Sequence, residues 1–199
     1  MKPAPGTGLR ISGGDLRGKR LAVPPGLAVR PMRSRVREAL FNMLGGNLRA
    51  ARVLDVFSGS GAIAIEAISR GAIAATLIEN GAEVLPVLRA NLQGLLLERR
   101  CQVLEVDAYG AESTIASALA EPLDLVFLDP PFADYELASP GRNPWQLAFS
   151  LGLRHLKPGG HVGLEIPSEF TPPSAPVGLE LRVDRRYGDT KLVLWRRTG

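Results

Sequence analysis

Four acids, a small-residue turn and a pair of prolines are the residues of this chain best suited to chemistry. Asp55 stands inside the apolar run Val53-Leu54-Asp55-Val56-Phe57, directly ahead of Ser58-Gly59-Ser60-Gly61. Glycines in such a turn let backbone approach a ligand closely, and the start of the helix that follows offers free N–H groups. Gly59-x-Gly61-x-x-Ala64 also fits the dinucleotide-binding fingerprint. An acid at Asp55 argues against a pyrophosphate, which is itself anionic. It favours a ligand with cationic groups. S-adenosylmethionine carries an ammonium and a sulfonium and no phosphate, which makes Asp55, Ser58, Gly59, Ser60 and Gly61 a candidate methyl-donor site.

The other acids extend that site. Glu79, followed by Asn80, closes the next apolar run eighteen residues past Gly61. An acid there accepts hydrogen bonds from ribose hydroxyls, in a nicotinamide cofactor or a methyl donor alike. Asp107-Ala108 could place a carboxylate by an adenine amino group and a backbone N–H on a ring nitrogen. Asp129-Pro130-Pro131-Phe132 is the most specific feature. Its prolines fix the backbone and remove two donors, which leaves carbonyls to accept. An acid, outward carbonyls and an aromatic ring suit a flat base bearing an exocyclic amine. Asp129 and a proline carbonyl would each take one amine hydrogen, and Phe132 would stack on the ring. Catalysis would then come from orientation and electrostatics. Any one of these acids alone is an ordinary turn or cap residue; four at the ends of successive runs form a rim.

The charge distribution points to a polyanion. Of the 24 Lys/Arg and 20 Asp/Glu in 199 residues, residues 1–50 hold ten bases and two acids. Arg10, Arg17, Lys19, Arg20, Arg30, Arg33, Arg35 and Arg37 are candidates to hold phosphates around an accessible base, with a solvated basic surface as the ordinary alternative. One cysteine and two histidines suggest neither a disulfide nor a metal site. No run is long and apolar enough for a bilayer, and no apolar signal core is seen, so a cytoplasmic protein is expected.

The elements that must position these residues follow from periodicity. Residues 1–8 read as a tail. Residues 9–12 and 19–23 are strand-like runs around Gly13-Gly14-Asp15, a hairpin-like extension. Residues 24–31 read as a linker. A helix starts near Ser34 with Val36, Ala39, Leu40, Met43 and Leu44 as its buried stripe, and Arg33 and Arg37 share another face. Strands are expected at 53–57, 74–79, 101–106, 123–128 and 161–166, with helices over 62–70, up to 97, over 111–120 and up to 155. Residues 133–144 read as a loop and 157–160 as a turn. A final hairpin, 179–187 and 191–195, flanks Gly188-Asp189. This alternation predicts an α/β fold, a mostly parallel sheet with helices on both faces and an antiparallel end. Ligands of such sheets bind at the carboxyl ends of the strands.

The Asp55–Gly61 turn, Glu79, Asp107-Ala108 and Asp129-Pro130-Pro131-Phe132 together resemble the class I S-adenosylmethionine-dependent methyltransferases that modify exocyclic amines. Arg10-Ile11-Ser12-Gly13-Gly14, Arg17-Gly18, Arg30-Pro31, Arg35-Val36-Arg37-Glu38-Ala39-Leu40-Phe41-Asn42, Glu66-Ala67-Ile68-Ser69-Arg70-Gly71-Ala72 and Tyr187-Gly188-Asp189-Thr190 narrow the likeness to the RsmD family. That family comprises bacterial guanine-N2 methyltransferases of small-subunit ribosomal RNA. The resemblance implies a Rossmann-like seven-stranded sheet with a basic N-terminal extension over residues 1–50 and a methyltransferase domain over 51–199. It implies Asp55, Gly59 and Gly61 around the methionine part of the donor, Glu79 on the ribose, Asp107 and Ala108 on the adenine, and residues 129–132 holding guanine. It further implies a 16S ribosomal RNA substrate within an assembling small subunit; a monomer is expected. One departure stands out: Met32-Arg33-Ser34 replaces the family's Thr, small polar residue and Asp. A methyltransferase acting on adenine N6 or on a glutamine side chain, and an RNA-binding protein without activity, remain the alternatives.

Overall fold

A computed structural model of the chain describes residues 9–24, 34–46, 48–119, 121–136 and 141–199. The expected tail, most of the expected linker, and Arg30 and Arg33 lie outside the described residues. Two short strands, β1 (Leu9–Arg10) and β2 (Arg20–Leu21), pair antiparallel, and helix α1 spans Ser34–Met43. Beyond them come β3 (Arg52–Val56), α2 (Ala62–Ser69), β4 (Ala74–Ile78), α3 (Leu85–Gly94), β5 (Cys101–Leu104) and α4 (Glu112–Ala118). The chain continues with β6 (Leu123–Leu128), α5 (Ala133–Glu136), α6 (Pro144–His155), β7 (Leu156–Pro167), β8 (Leu179–Tyr187) and β9 (Thr190–Arg197).

Seven strands form one sheet in the order β5-β4-β3-β6-β7-β9-β8. β3 to β7 run parallel, and β9 is antiparallel to both β7 and β8. Strand order reverses between β3 and β6, the switch point where such sheets bind ligands. The expected architecture is therefore present, with two local differences. The expected loop after residue 132 contains the single turn of α5. The expected turn at 157–160 lies inside β7: Leu123 pairs with Leu156, and Leu125 pairs with His161, so the four residues bulge from the ladder. Gly160 permits this, since a Cβ there would stand 3.1 Å from the Leu123 and Asp124 carbonyls.

Helix α2 has no exposed face; all eight of its residues are buried. A short helix that is buried all round needs cover on both sides. The sheet supplies one, through Val53, Leu77, Leu125 and Phe127. The N-terminal segments supply the other, through Ile11, Leu21, Val36, Leu40 and Phe41 of the same core. The opposite sheet face packs Leu54, Val56, Val126, Leu128 and Leu164 against Leu147 and Leu151 of α6.

A buried charge cluster docks those segments on α2. Glu66, 0% exposed, accepts the Ser12 and Gly13 N–H groups, the Ser12 hydroxyl (all 2.8 Å), Arg70 Nε (2.9 Å) and Arg37 Nε (3.4 Å). Arg70 also donates to Ser12 Oγ at 3.0 Å and lies over the Phe41 ring. Burial pushes the Glu66 carboxyl up, but the hydrogen bonds from Ser12 and Arg70 and the charge of Arg37 outweigh it, so its pKa lies below the ordinary value. Arg37 therefore corrects an expectation. It is not a surface residue holding phosphate but is 0% exposed, paired with Glu66 and donating to the Arg10 carbonyl. The buried stripe of α1 is wider than its apolar residues indicate, running through Val36, Arg37, Leu40 and Phe41, because the helix is covered on more than one side.

Candidate active site

The turn between β3 and α2 lies at the strand-order reversal, and its shape requires glycine at one position above all. Gly61 has φ 79°, and a Cβ there would stand 2.6 Å from Leu88 Cδ1, so glycine lets α2 close on α3. Ser58 Oγ donates to the Asp55 carbonyl at 2.7 Å, and Ser58 N–H donates to the Ile78 carbonyl at 3.0 Å. Glu79 staples the turn to the end of β4. Its Oε2 accepts Gly59 N–H at 2.9 Å, and its Oε1 accepts Asn80 and Gly81 N–H at 3.0 and 2.7 Å. A carboxylate offers about four lone-pair positions, so Glu79 keeps room for a ribose hydroxyl. Asn91 on α3 holds the turn from the far side. Its amide accepts Ala22 N–H at 2.9 Å and donates to the carbonyls of Ala22 (3.0 Å) and Ser60 (2.9 Å).

Asp55 is 2% exposed, and its Oδ2 accepts the Ala64 N–H at 3.0 Å. Burial lifts its carboxyl from an ordinary 3.8 to about 8, against the pull of the Ala64 N–H and with help from the Glu79 charge. One backbone donor is poor compensation for a buried carboxylate; a ligand ammonium would supply the rest. This is the observation that fits the methyl donor to these residues.

Asp129 follows β6, next to β3 in the sheet, and its N–H donates to the Val56 carbonyl at 3.3 Å. No described residue donates to its carboxyl group. Burial, then the charges of Glu165 and Asp55, push that carboxyl well above the usual carboxylate range. Pro130 is buried, Pro131 exposed and Phe132 half-buried. Asp134 N–H takes the Pro131 carbonyl at 2.9 Å as α5 begins, so of the two proline carbonyls it is Pro130's that remains as an acceptor. Tyr135 donates its hydroxyl to the Glu165 carbonyl at 3.2 Å and packs on Trp145 and Phe170, with ring centroids 5.4 and 5.7 Å apart.

In the loop after β5, Asp107 is already engaged. It accepts Tyr109 N–H at 3.1 Å and a guanidinium N–H of Arg142, which lies over the Tyr109 ring. An adenine amine would share Asp107 with Arg142. Ala108 is buried. Tyr109 bridges from this loop to α5 through a 3.0 Å bond to Asp134 and sits 5.5 Å from the Phe57 ring. Phe57 has φ 62°, a conformation rare for a phenylalanine, where β3 breaks into the turn. Nothing in its residue type signals that. Arg142, Asn91 and the Glu165 carbonyl that anchors Tyr135 were also not legible, because each acts through a partner more than 20 residues away in sequence. Arg10, Arg17, Lys19, Arg20 and Arg35 are exposed. No group of three or more His, Cys, Asp or Glu among the described residues could hold a metal ion, and no described helix is long and apolar enough to cross a membrane.

A doubly wound sheet with a glycine turn and carboxylates along one rim defines a class of α/β domain that binds a nucleoside-bearing ligand at its switch point. Within that class the chain belongs to the family Conserved hypothetical protein 95, which it matches over residues 9–196. It is 43% identical over 127 residues to Ribosomal RNA small subunit methyltransferase D of Escherichia coli strain K12, covering 62% of this chain and 60% of that enzyme's length. Against the Bacillus subtilis protein YlbH, identity is 28% over 193 residues, covering 96% of this chain and all of that one. Among solved structures, the Escherichia coli protein yhhF superposes with a TM-score of 0.76 at 33% identity, covering 96% of this chain and 99% of that one. The Thermus thermophilus hypothetical protein TTHA0928 gives 0.71 at 32% identity, covering 94% and 98%.

Proposed function

We propose that this protein transfers a methyl group from S-adenosylmethionine to the exocyclic N2 amine of a guanine in 16S ribosomal RNA. One observation carries the reading: two donor-poor carboxyls, the buried Asp55 and the half-buried Asp129, sit at adjoining strands by the switch point, beside a proline-stiffened corner. One is suited to a ligand cation and the other to an amine. The name of the Escherichia coli relative, a small-subunit ribosomal RNA methyltransferase, supports the same reading.

When bound, the donor supplies an electrophilic methyl whose sulfur departs with the bonding electron pair. Asp55 pairs with the donor's ammonium, Glu79 and the Gly59–Gly61 turn hold its ribose and amino-acid part, and Asp107 with Ala108 faces its adenine. The guanine amine is a weak nucleophile, because its lone pair is delocalised into the ring. Asp129 and the Pro130 carbonyl each accept one amine hydrogen and hold the nitrogen as it turns tetrahedral. Held so, its lone pair would be free to take the methyl that the bound donor supplies. The surplus proton leaves afterwards, to Asp129 and on to water. Phe132 stacks on the base, which must be single-stranded or flipped out. Residues 1–50 serve as the RNA-holding extension, with Arg10, Arg17, Lys19, Arg20 and Arg35 toward phosphates, and residues 51–199 form the transferase domain. A cytoplasmic monomer acting on an assembling small subunit completes the reading.

The test is transfer of labelled methyl from S-adenosylmethionine to 16S transcripts and to small subunits lacking the modification, with the product nucleoside identified by mass spectrometry. N2-methylguanine at one position is expected. N6-methyladenine, or label in protein, would replace this reading with another amine acceptor.

A further inference from the structure

Glu165 is a buried acid with no place in the chemistry above. It is 4% exposed and lies near the carboxyl end of β7. Leu128 of β6 pairs with Leu164 of β7, so the next residues along the two parallel strands, Asp129 and Glu165, stand side by side. Alternation along β7 sets the face. Val162, Leu164 and Ile166 pack in the core on the α6 side. A Cβ on Gly163 would meet Leu194 and Phe127, which belong to the core on the α2 side. Glu165 shares that second face, as its partner in β9, Leu192, does. Asp55, bonded to the N–H of Ala64 in α2, faces the same way. Three acids thus line one face of three adjoining strands, Asp55 on β3, Asp129 after β6 and Glu165 on β7. The negative charge of Glu165 acts on both Asp129 and Tyr135, and the Tyr135 hydroxyl is anchored at the Glu165 carbonyl. Glu165 has contacts of its own in the free protein, and a base edge would compete for its oxygens as any ligand does.

When both are ionised, two neighbouring carboxylates match one base edge and oppose another, and guanine's two donors favour that form against the burial and mutual charge that raise Asp129. Guanine presents two adjacent donors, N1–H and the N2 amine. Adenine presents its amine beside N1, a bare acceptor, and cytosine likewise presents N3. A second carboxylate next to Asp129 is complementary to the first pattern and repels the others, because a buried acceptor facing an acceptor loses its hydrogen bond outright. On the reading of the preceding subsection, we propose that Glu165 is the residue that selects guanine, accepting its N1–H while Asp129 accepts an N2 hydrogen.

The test uses 2-aminopurine, which keeps the reactive 2-amino group but has a bare acceptor at N1. RNA carrying guanine or 2-aminopurine at the methylated position is given to the wild-type protein and to Glu165→Gln, whose amide can donate to a bare N1. The wild type should methylate guanine at least about 30-fold more efficiently in kcat/KM than 2-aminopurine, the size expected for losing a hydrogen bond to a charged group. Glu165→Gln should lose about as much on guanine, gain on 2-aminopurine, and bind S-adenosylhomocysteine as the wild type does. Equal loss on both bases would make Glu165 a merely structural residue and overturn the proposal. Should the variant fail to fold, the wild type alone decides, because indifference between the two bases overturns the proposal as well. Absence of methylation of any guanine RNA by the wild type would instead strike the functional reading, and this one with it.

Discussion

Glu66 is fully buried and Asp129 half-buried, and the two acids are treated in opposite ways. Glu66 receives five hydrogen bonds, two from arginines, and its pKa lies below the ordinary value. Asp129 receives none from the described residues and lies well above the usual range, as Asp55 does with a single backbone donor. The difference separates a charge that the fold consumes from one that it keeps for a ligand. Burying a carboxylate without partners costs several kcal/mol, so a site that tolerates it is paired with something that binds there. Glu66 has its partners within the chain, and they are the segments that must dock on α2. The rim acids look outward for theirs.

This contrast predicts opposite outcomes for removing each acid. Asp129→Ala should lower methyl transfer at least about 100-fold, the scale of losing one preorganised transition-state contact. Its thermal stability and its affinity for S-adenosylhomocysteine should stay near wild type. Normal turnover would end the catalytic role, and a large loss of stability would erase the contrast with Glu66. Glu66→Ala leaves Arg37 buried without its partner and should cost about 3–5 kcal/mol, or a melting temperature lower by roughly 10 °C in a domain of this size. A Glu66 variant as stable as wild type would show that the cluster contributes nothing net.

The raised Asp55 carboxyl also sets a pH dependence. A carboxyl raised to about 8 in the folded protein stabilises the fold fully below its unfolded pKa near 3.8 and loses that contribution as pH rises through 8. The ligand-free protein should therefore melt at progressively lower temperature as pH climbs across that window. An ammonium at Asp55 favours the ionised form, so binding S-adenosylmethionine at pH 7 should release close to one proton. Calorimetry in buffers of different ionisation enthalpy measures it, and binding with no proton release would remove the ammonium from Asp55. The smallest effect belongs to the exposed bases. Replacing Arg17, Lys19 and Arg20 with alanine should flatten the dependence of log K for RNA on log salt by about 2, since each phosphate contact on a single strand contributes roughly 0.7. An unchanged slope would return the extension to an ordinary solvated surface.

The elements were largely legible because periodicity is a local property. The five parallel strands and the closing hairpin fall where apolar runs and Gly188-Asp189 put them. The rim residues were legible for a related reason: glycine, proline and acid at a strand's end act on their own neighbours, as Gly61, Pro130 and Asp55 do. Arg37 was not legible. Its helix offered it a polar face, and only the cover that Glu66 and the N-terminal hairpin place over α1 turns that face inward. The choice between the Pro130 and Pro131 carbonyls likewise waited on α5, whose first turn takes one of them.

By itself the sequence determined the alternation of strands and helices, the turn at Gly59–Gly61 and the four acids near the carboxyl ends of successive strands, since each follows from residue types within a few positions. The tertiary structure alone decided which buried charges find a partner and which do not. Glu66 meets Ser12 across 54 positions, and Asp129 and Glu165 meet through the register of two parallel strands. Such pairings depend on how separate elements pack, and no local pattern encodes that.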